Sequence, residues 1–112
     1  MTRPMPTDNE VTWSRWIASF GPERFRGVAE FQSPDGSRVD ILTDELAIEV
    51  EWSKKWAESI GQALLYSITT NRRAAVLLLI RNKPTERLYI TRAAAVCERA
   101  GIEFHIMETR SE

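Results

Sequence analysis

The chain is 112 residues long and carries 15 Lys and Arg against 16 Asp and Glu, a formal net charge of -1. That balance excludes a protein whose overall field coats nucleic acid, and so short a chain has room for one core and no second domain. A single cysteine rules out an internal disulfide, a single histidine rules out a histidine-rich metal site, and no stretch reads as a signal peptide or membrane span, so the expected location is the cytoplasm.

Residues 1–8 contain Pro4 and Pro6 and no apolar period, and read as a flexible lead to a single domain over 9–112. Residues 9–20 place Val11, Trp13, Trp16, Ile17 and Phe20 at mixed helical spacings, an amphipathic helix closed by Gly21-Pro22 with its tryptophans in the core. Residues 30–33 and Arg38–Leu42 flank Pro34-Asp35-Gly36-Ser37, a turn sequence that makes the two strands a hairpin. Thr43-Asp44-Glu45 then turns the chain into an acidic strand over 47–51.

In that strand side chains alternate, so Glu49 and Glu51 share one face while Ile48 and Val50 point into apolar packing. Two carboxylates about 7 Å apart repel by about 2 kcal/mol at an effective dielectric of about 20, and a cation relieves the strain. A Glu-x-Glu alternation by itself commonly marks the wet face of a half-buried strand. Here Asp40, on the strand before, adds a third carboxylate if the two strands pair. Oxygen-only ligands suit a hard ion, Mg2+ or Mn2+, rather than zinc.

The following helix carries Lys55, Glu58, Ser59, Gln62 and Tyr66 within an arc of about 100°. Trp56, Ala57, Ile60, Ala63, Leu64 and Ile68 make the rest of it apolar. Asn71-Arg72-Arg73 ends it, and residues 74–80 run apolar without alternation, as a strand covered on both faces does. Arg81-Asn82-Lys83-Pro84 reads as a break, residues 90–100 as a helix stopped by Gly101, and 102–107 as a last strand. Cys97 is expected as a buried structural thiol and His105 as a hydrogen-bonded histidine. Arg72, Arg73, Arg81, Lys83 and Arg87, close in sequence, are candidates for a phosphate-facing rim. The order α-β-β-β-α-β-α-β predicts an α/β fold, a three-layer α-β-α sandwich with a mixed sheet.

Asp40, the turn, Glu49-Val50-Glu51, Lys55 and Gln62-x-x-x-Tyr66 together resemble the PD-(D/E)XK nuclease superfamily, the helix motif being like that of its exonuclease branch. The resemblance covers residues 10–80. It implies a restriction endonuclease-like fold and Mg2+-dependent hydrolysis of DNA phosphodiesters. Asp40 matches the metal-binding aspartate of the second strand and Glu49 the acid that opens the motif on the third. Glu10 is similar to the glutamate often found on the first helix, with Glu23 and Glu30 as alternatives. Gln62 and Tyr66 match the residues that organise the site and contact nucleic acid. Glu51 stands where the family usually has lysine, and Lys55, one turn into the helix, is the candidate for a migrated lysine.

The expected catalytic set is thus Asp40, Glu49, Glu51 and Lys55, with Glu10, Asp40 and Glu49 on the metal. The expected partners are DNA, a second copy of the chain docked through Trp52, Trp56 and the last helix, and a larger complex that delivers substrate. A phage or other mobile element is the expected source, and no membrane contact is expected. Two other classes stand beside the enzyme: a non-catalytic nucleic-acid-binding or assembly module on the same fold, which Glu51 favours, and a partner-binding protein that uses the acids as a recognition surface.

Overall fold

A computed structural model describes residues 2–110. Helix α1 (Glu10–Phe20) is followed by strands β1 (Val28–Gln32), β2 (Arg38–Leu42) and β3 (Leu46–Trp52), then α2 (Trp56–Thr70), β4 (Arg73–Ile80), α3 (Lys83–Ala100) and β5 (Glu103–Glu108). The sheet order is β1-β2-β3-β4-β5. β1, β2 and β3 pair antiparallel, and β4 and β5 continue the sheet parallel to β3. The mixed sheet and the α/β class agree with the sequence reading.

Two cores cover its faces. Leu46, Ile48, Val50 and Trp52 of β3 and Ala75, Leu77 and Leu79 of β4 pack with Trp13 and Ile17 of α1. Val76, Leu78 and Ile80 point the other way, toward Ala63 of α2 and Ala93 and Cys97 of α3. Period-two alternation along β4 therefore feeds both layers, which is why residues 74–80 are apolar throughout and every one of them is buried. Leu77 is 0% exposed, and Leu77→Ala is expected to cost about 2–5 kcal/mol, to be read as a lower urea midpoint with an unchanged slope.

Several boundaries differ from the sequence reading. α3 begins at Lys83, not near residue 90, because Asn82 caps it by accepting from the Thr85 amide and Pro84 sits in the first turn, where no amide donor is missed. Proline there starts a helix instead of breaking a strand. Gly101 (φ 73) ends the helix in the left-handed region, and Ile102 N–H closes it onto the Cys97 carbonyl at 2.9 Å. A 3-10 turn over Glu23–Phe25 carries Glu23 away from the acidic strand into a recess with Arg24, Arg26 and Thr43. Glu23 is thereby removed as an alternative to Glu10.

The lead has specific partners: the Trp13 indole donates to the Met5 carbonyl at 3.0 Å, and Arg81 Nε donates to the Pro6 carbonyl at 2.9 Å. Cys97 is buried, and burial pushes its thiol up to about 11. His105 lies edge-on to Phe25 and hydrogen-bonds Glu103 at 2.7 Å.

Candidate active site

The β2–β3 ladder runs through Leu42↔Ala47 and Ile41↔Ile48 and stops where Asp40 would face Glu49. Asp40 replaces the missing ladder bond with its side chain: Oδ2 accepts from the Val50 amide at 2.8 Å. Splitting the strands at this point opens a cleft of about 290 Å³ lined by Glu10, Val11, Asp40, Glu49, Val50, Glu51, Glu58, Gln62 and Tyr66.

Each wall follows from local structure. Since Leu46, Ile48, Val50 and Trp52 face α1, alternation sends Ala47, Glu49 and Glu51 toward α2. There Glu58, Gln62 and Tyr66, spaced four apart on α2, form one stripe over the carboxylates. Glu10 enters from the first turn of α1, whose start is fixed by Asn9 accepting from the Thr12 amide at 2.9 Å.

The electrostatics of the cleft are severe. Glu49 is 5% exposed, and burial, followed by the hydrogen bond and charge of Asp40, raises its pKa far above the usual carboxylate range. Asp40 is raised as well, first by burial, although the Glu49 hydrogen bond and the Val50 amide pull it back. The two carboxyls thus titrate as a pair, the Asp40 charge opposing the ionisation of Glu49. Burial raises Glu51 too, while its Oε1 accepts from the Trp52 amide at 3.0 Å. Burial and then the charges of Glu49, Asp40 and Glu30 hold the proton on the Tyr66 hydroxyl.

Of the residues singled out in the sequence, Glu10, Asp40, Glu49, Glu51, Gln62 and Tyr66 meet in the cleft. Lys55 does not line it. It is the exposed last residue of a 3-10 turn over Ser53–Lys55, at the N-cap position of α2, and it acts on the cleft through its charge, which opposes the rise of the Glu51 pKa. Lys55→Ala is therefore expected to leave thermal stability within about 0.5 kcal/mol of wild type and to raise the Glu51 pKa further, which carboxylate NMR can follow. Glu58 is the lining residue missing from the expected site set, although its place four residues before Gln62 on the same helical stripe marks it. The rim of basic residues does not form as one surface. Arg73 and Arg81 lie at opposite ends of β4, about 26 Å apart, Arg73 pairs with Glu103 at 3.4 Å, and Arg81 is stacked on Trp52 at 3.5 Å. Lys83 and Arg87 remain exposed. Trp52 is buried under Arg81, and Trp56 is partly buried against the α2–α3 core.

The donor set fits a hard divalent cation: carboxyl oxygens of Asp40 and Glu49, with Glu10, Glu51 and Glu58 around them and no Lys, Arg, His or Cys in the lining among the described residues. Among those residues no three acids converge on one point, since Asp40 is engaged with Val50 and Glu51 folds back on Trp52. Mg2+ keeps several waters and usually takes one or two carboxylates, a demand with which the buried pair is compatible.

No protein-family profile matches the chain, and no solved structure matches it. Over 68 residues, 61% of its length, it is 31% identical to a protein of Acanthamoeba polyphaga mimivirus named as KilA-N domain-containing. The matched stretch is 18% of that relative, so the name describes a protein of which this chain spans less than a fifth. Among the described residues no helix is long and apolar enough to cross a membrane.

Proposed function

We propose that this chain is a metal-dependent nuclease of the PD-(D/E)XK type, with a restriction endonuclease-like arrangement of its α/β fold, hydrolysing phosphodiester bonds of DNA. The observation that carries the reading is the buried Asp40–Glu49 pair at the split of β2 from β3, facing Glu58, Gln62 and Tyr66 of α2. A stable core does not need two carboxyls buried against one another, because the arrangement costs free energy unless a proton or a cation neutralises it.

Mg2+ or Mn2+, when bound, lowers the pKa of a water and polarises a phosphoryl oxygen. Asp40 and Glu49 would hold the ion, the Val50 carbonyl could supply a further oxygen, and Glu10, which also lines the cleft, would be an additional acid. Glu51, half buried with one oxygen already on the Trp52 amide, accepts the proton of the attacking water with the other. Gln62 and Tyr66 hydrogen-bond the sugar-phosphate backbone, and Lys55 meets a phosphate beside Glu51 as a point charge.

With Lys54, Lys55, Lys83 and Arg87 exposed but outside the cleft lining, and a net charge of -1, DNA is held weakly, and a second copy or a larger complex in the cytoplasm adds contacts. Leu88 and Val96 of α3 are exposed, as are Leu64, Leu65 and Ile68 of α2, so both helices offer apolar surface for such contacts. The similarity to a mimivirus protein supports a viral, phage or mobile-element source.

The second reading, a non-catalytic nucleic-acid-binding or assembly module, is favoured by two observations: Glu51 occupies the usual lysine position, and among the described residues no cationic side chain lines the cleft. Incubation of the protein with plasmid, linear, single-stranded and four-way-junction DNA in Mg2+, Mn2+ or EDTA separates the two. Metal-dependent cutting of at least one substrate is expected. Binding of DNA without cutting in either metal would establish the module instead.

A further inference from the structure

Glu30 lies in the left-handed region, φ 56, a conformation shared among the described non-glycine residues only by Asn71 at the end of α2. Glutamate rarely adopts it, because its Cβ crowds the carbonyl that follows. The β1–β2 pairing runs Val28↔Leu42, Ala29↔Ile41, Phe31↔Val39 and Gln32↔Arg38, stepping over Glu30 and Asp40. The hairpin changes face at this step. Ala29 and Ile41 pack into the α1 core, whereas Phe31 and Val39, each two residues away and expected on the same face, pack with Leu42, Ala47 and Tyr66 on the α2 side. Asp40 is the residue about which β2 crosses over. The Glu30 side chain is only 14% exposed and lies 3.5 Å from Arg38 Nε, and the charges of Glu30 and Arg38 are felt at Tyr66 and Asp40 respectively.

We propose that Glu30 is a positioning residue: its left-handed backbone turns the β1–β2 hairpin from the α1 layer to the α2 layer, and so sets Asp40 against the Val50 amide and Glu49. The proposal rests on the nuclease reading for its functional meaning but not for its test. Strained backbone persists where the surroundings over-determine it and clusters at working sites. Here what it secures is the split in the β2–β3 ladder from which the cleft is made.

The backbone and the carboxylate of Glu30 can be separated. Glu30→Gly and Glu30→Asn remove the charge and accept a positive φ, whereas Glu30→Val adds a branched Cβ that resists it. The readout is hydrogen exchange of the Val50 amide, which donates to Asp40 Oδ2, referenced to the amides of β4 in the same sample, with circular dichroism confirming that each variant is folded. In Glu30→Val, protection of Val50 is expected to fall at least about tenfold relative to β4, and Mn2+ affinity by calorimetry to fall with it. Both are expected to stay within about twofold of wild type in Glu30→Gly and Glu30→Asn. A Val50 amide as protected in Glu30→Val as in wild type would overturn the proposal, as would equal loss in all three variants, which would assign the effect to the carboxylate. Failure of the wild type to cut DNA overturns the nuclease reading alone, since Val50 protection still decides the placement of Asp40.

Discussion

Asp40→Ala and Glu49→Ala are each expected to weaken Mn2+ binding at least about a hundredfold, more than the loss of a residue outside the ligand set, and Glu49→Ala to melt at the same temperature as metal-free wild type or higher. The two effects share one cause. In the metal-free protein the pair is a liability: Glu49 is 5% exposed, and its pKa is raised first by burial and then by Asp40. Removing Glu49 relieves the burial of a carboxyl and leaves Asp40 with its bond from the Val50 amide. Removing Asp40 leaves the Val50 amide without that partner, at a cost of about 1–3 kcal/mol, so Glu49→Ala is expected to be the more stable of the two. Calorimetry and thermal melting in EDTA check both. Melting well below wild type for Glu49→Ala would mean that the carboxyl is a structural hydrogen-bonding group and not a poised ligand.

Metal-free protein is expected to lose stability as pH rises from about 5 to about 8, and Mn2+ to reverse that slope. Burial raises the pKa of Glu49, Asp40 and Glu51 above their unfolded values. Below the ordinary carboxylate range both folded and unfolded chains are protonated and the cluster imposes no penalty. Above it the unfolded chain releases its protons first, the folded chain binds more of them, and stability falls. Glu103 has the opposite sign. The hydrogen bond from Arg24 holds it down to about 2, so its contribution is present above the ordinary range and is lost as pH falls toward that value. Mildly acidic solution is therefore the optimum for the apoprotein. A divalent ion competes for the ionised carboxylates, so its stabilisation grows with pH, reaching about 2.7 kcal/mol, or about 10 °C in melting temperature, at a hundred times its dissociation constant. In Glu49→Gln the apoprotein slope flattens and the Mn2+ effect disappears. A melting temperature that rises with pH in EDTA would contradict the buried acid pair.

Much of this arrangement is legible in the sequence because it is periodic. Alternation placed Glu49 and Glu51 on one face, the α2 spacing placed Gln62 and Tyr66 over them, and the unbroken apolar run of 74–80 marked a strand buried on both sides. What is not legible is set by contacts distant in sequence or by conformations the residue type disfavours. Pro84 reads equally as a strand breaker or a helix first turn until Asn82 is seen to cap Thr85. Arg73 and Arg81 look clustered until an eight-residue strand separates their ends. The left-handed Glu30 has no marker at all, since glycine or asparagine would announce that conformation and glutamate does not. Lys55 illustrates a finer loss: helical phase brings it to the stripe, but the 3-10 turn before α2 leaves it outside the lining.

The most direct measurement is single-turnover cleavage of DNA by wild type beside Glu49→Ala, each in Mg2+ and in EDTA. The account predicts cutting by wild type in Mg2+ alone, and a rate at least about a thousandfold lower for Glu49→Ala, on the scale of losing a principal electrostatic contribution to the transition state. Equal rates for the two proteins, or cutting that survives EDTA, would contradict it.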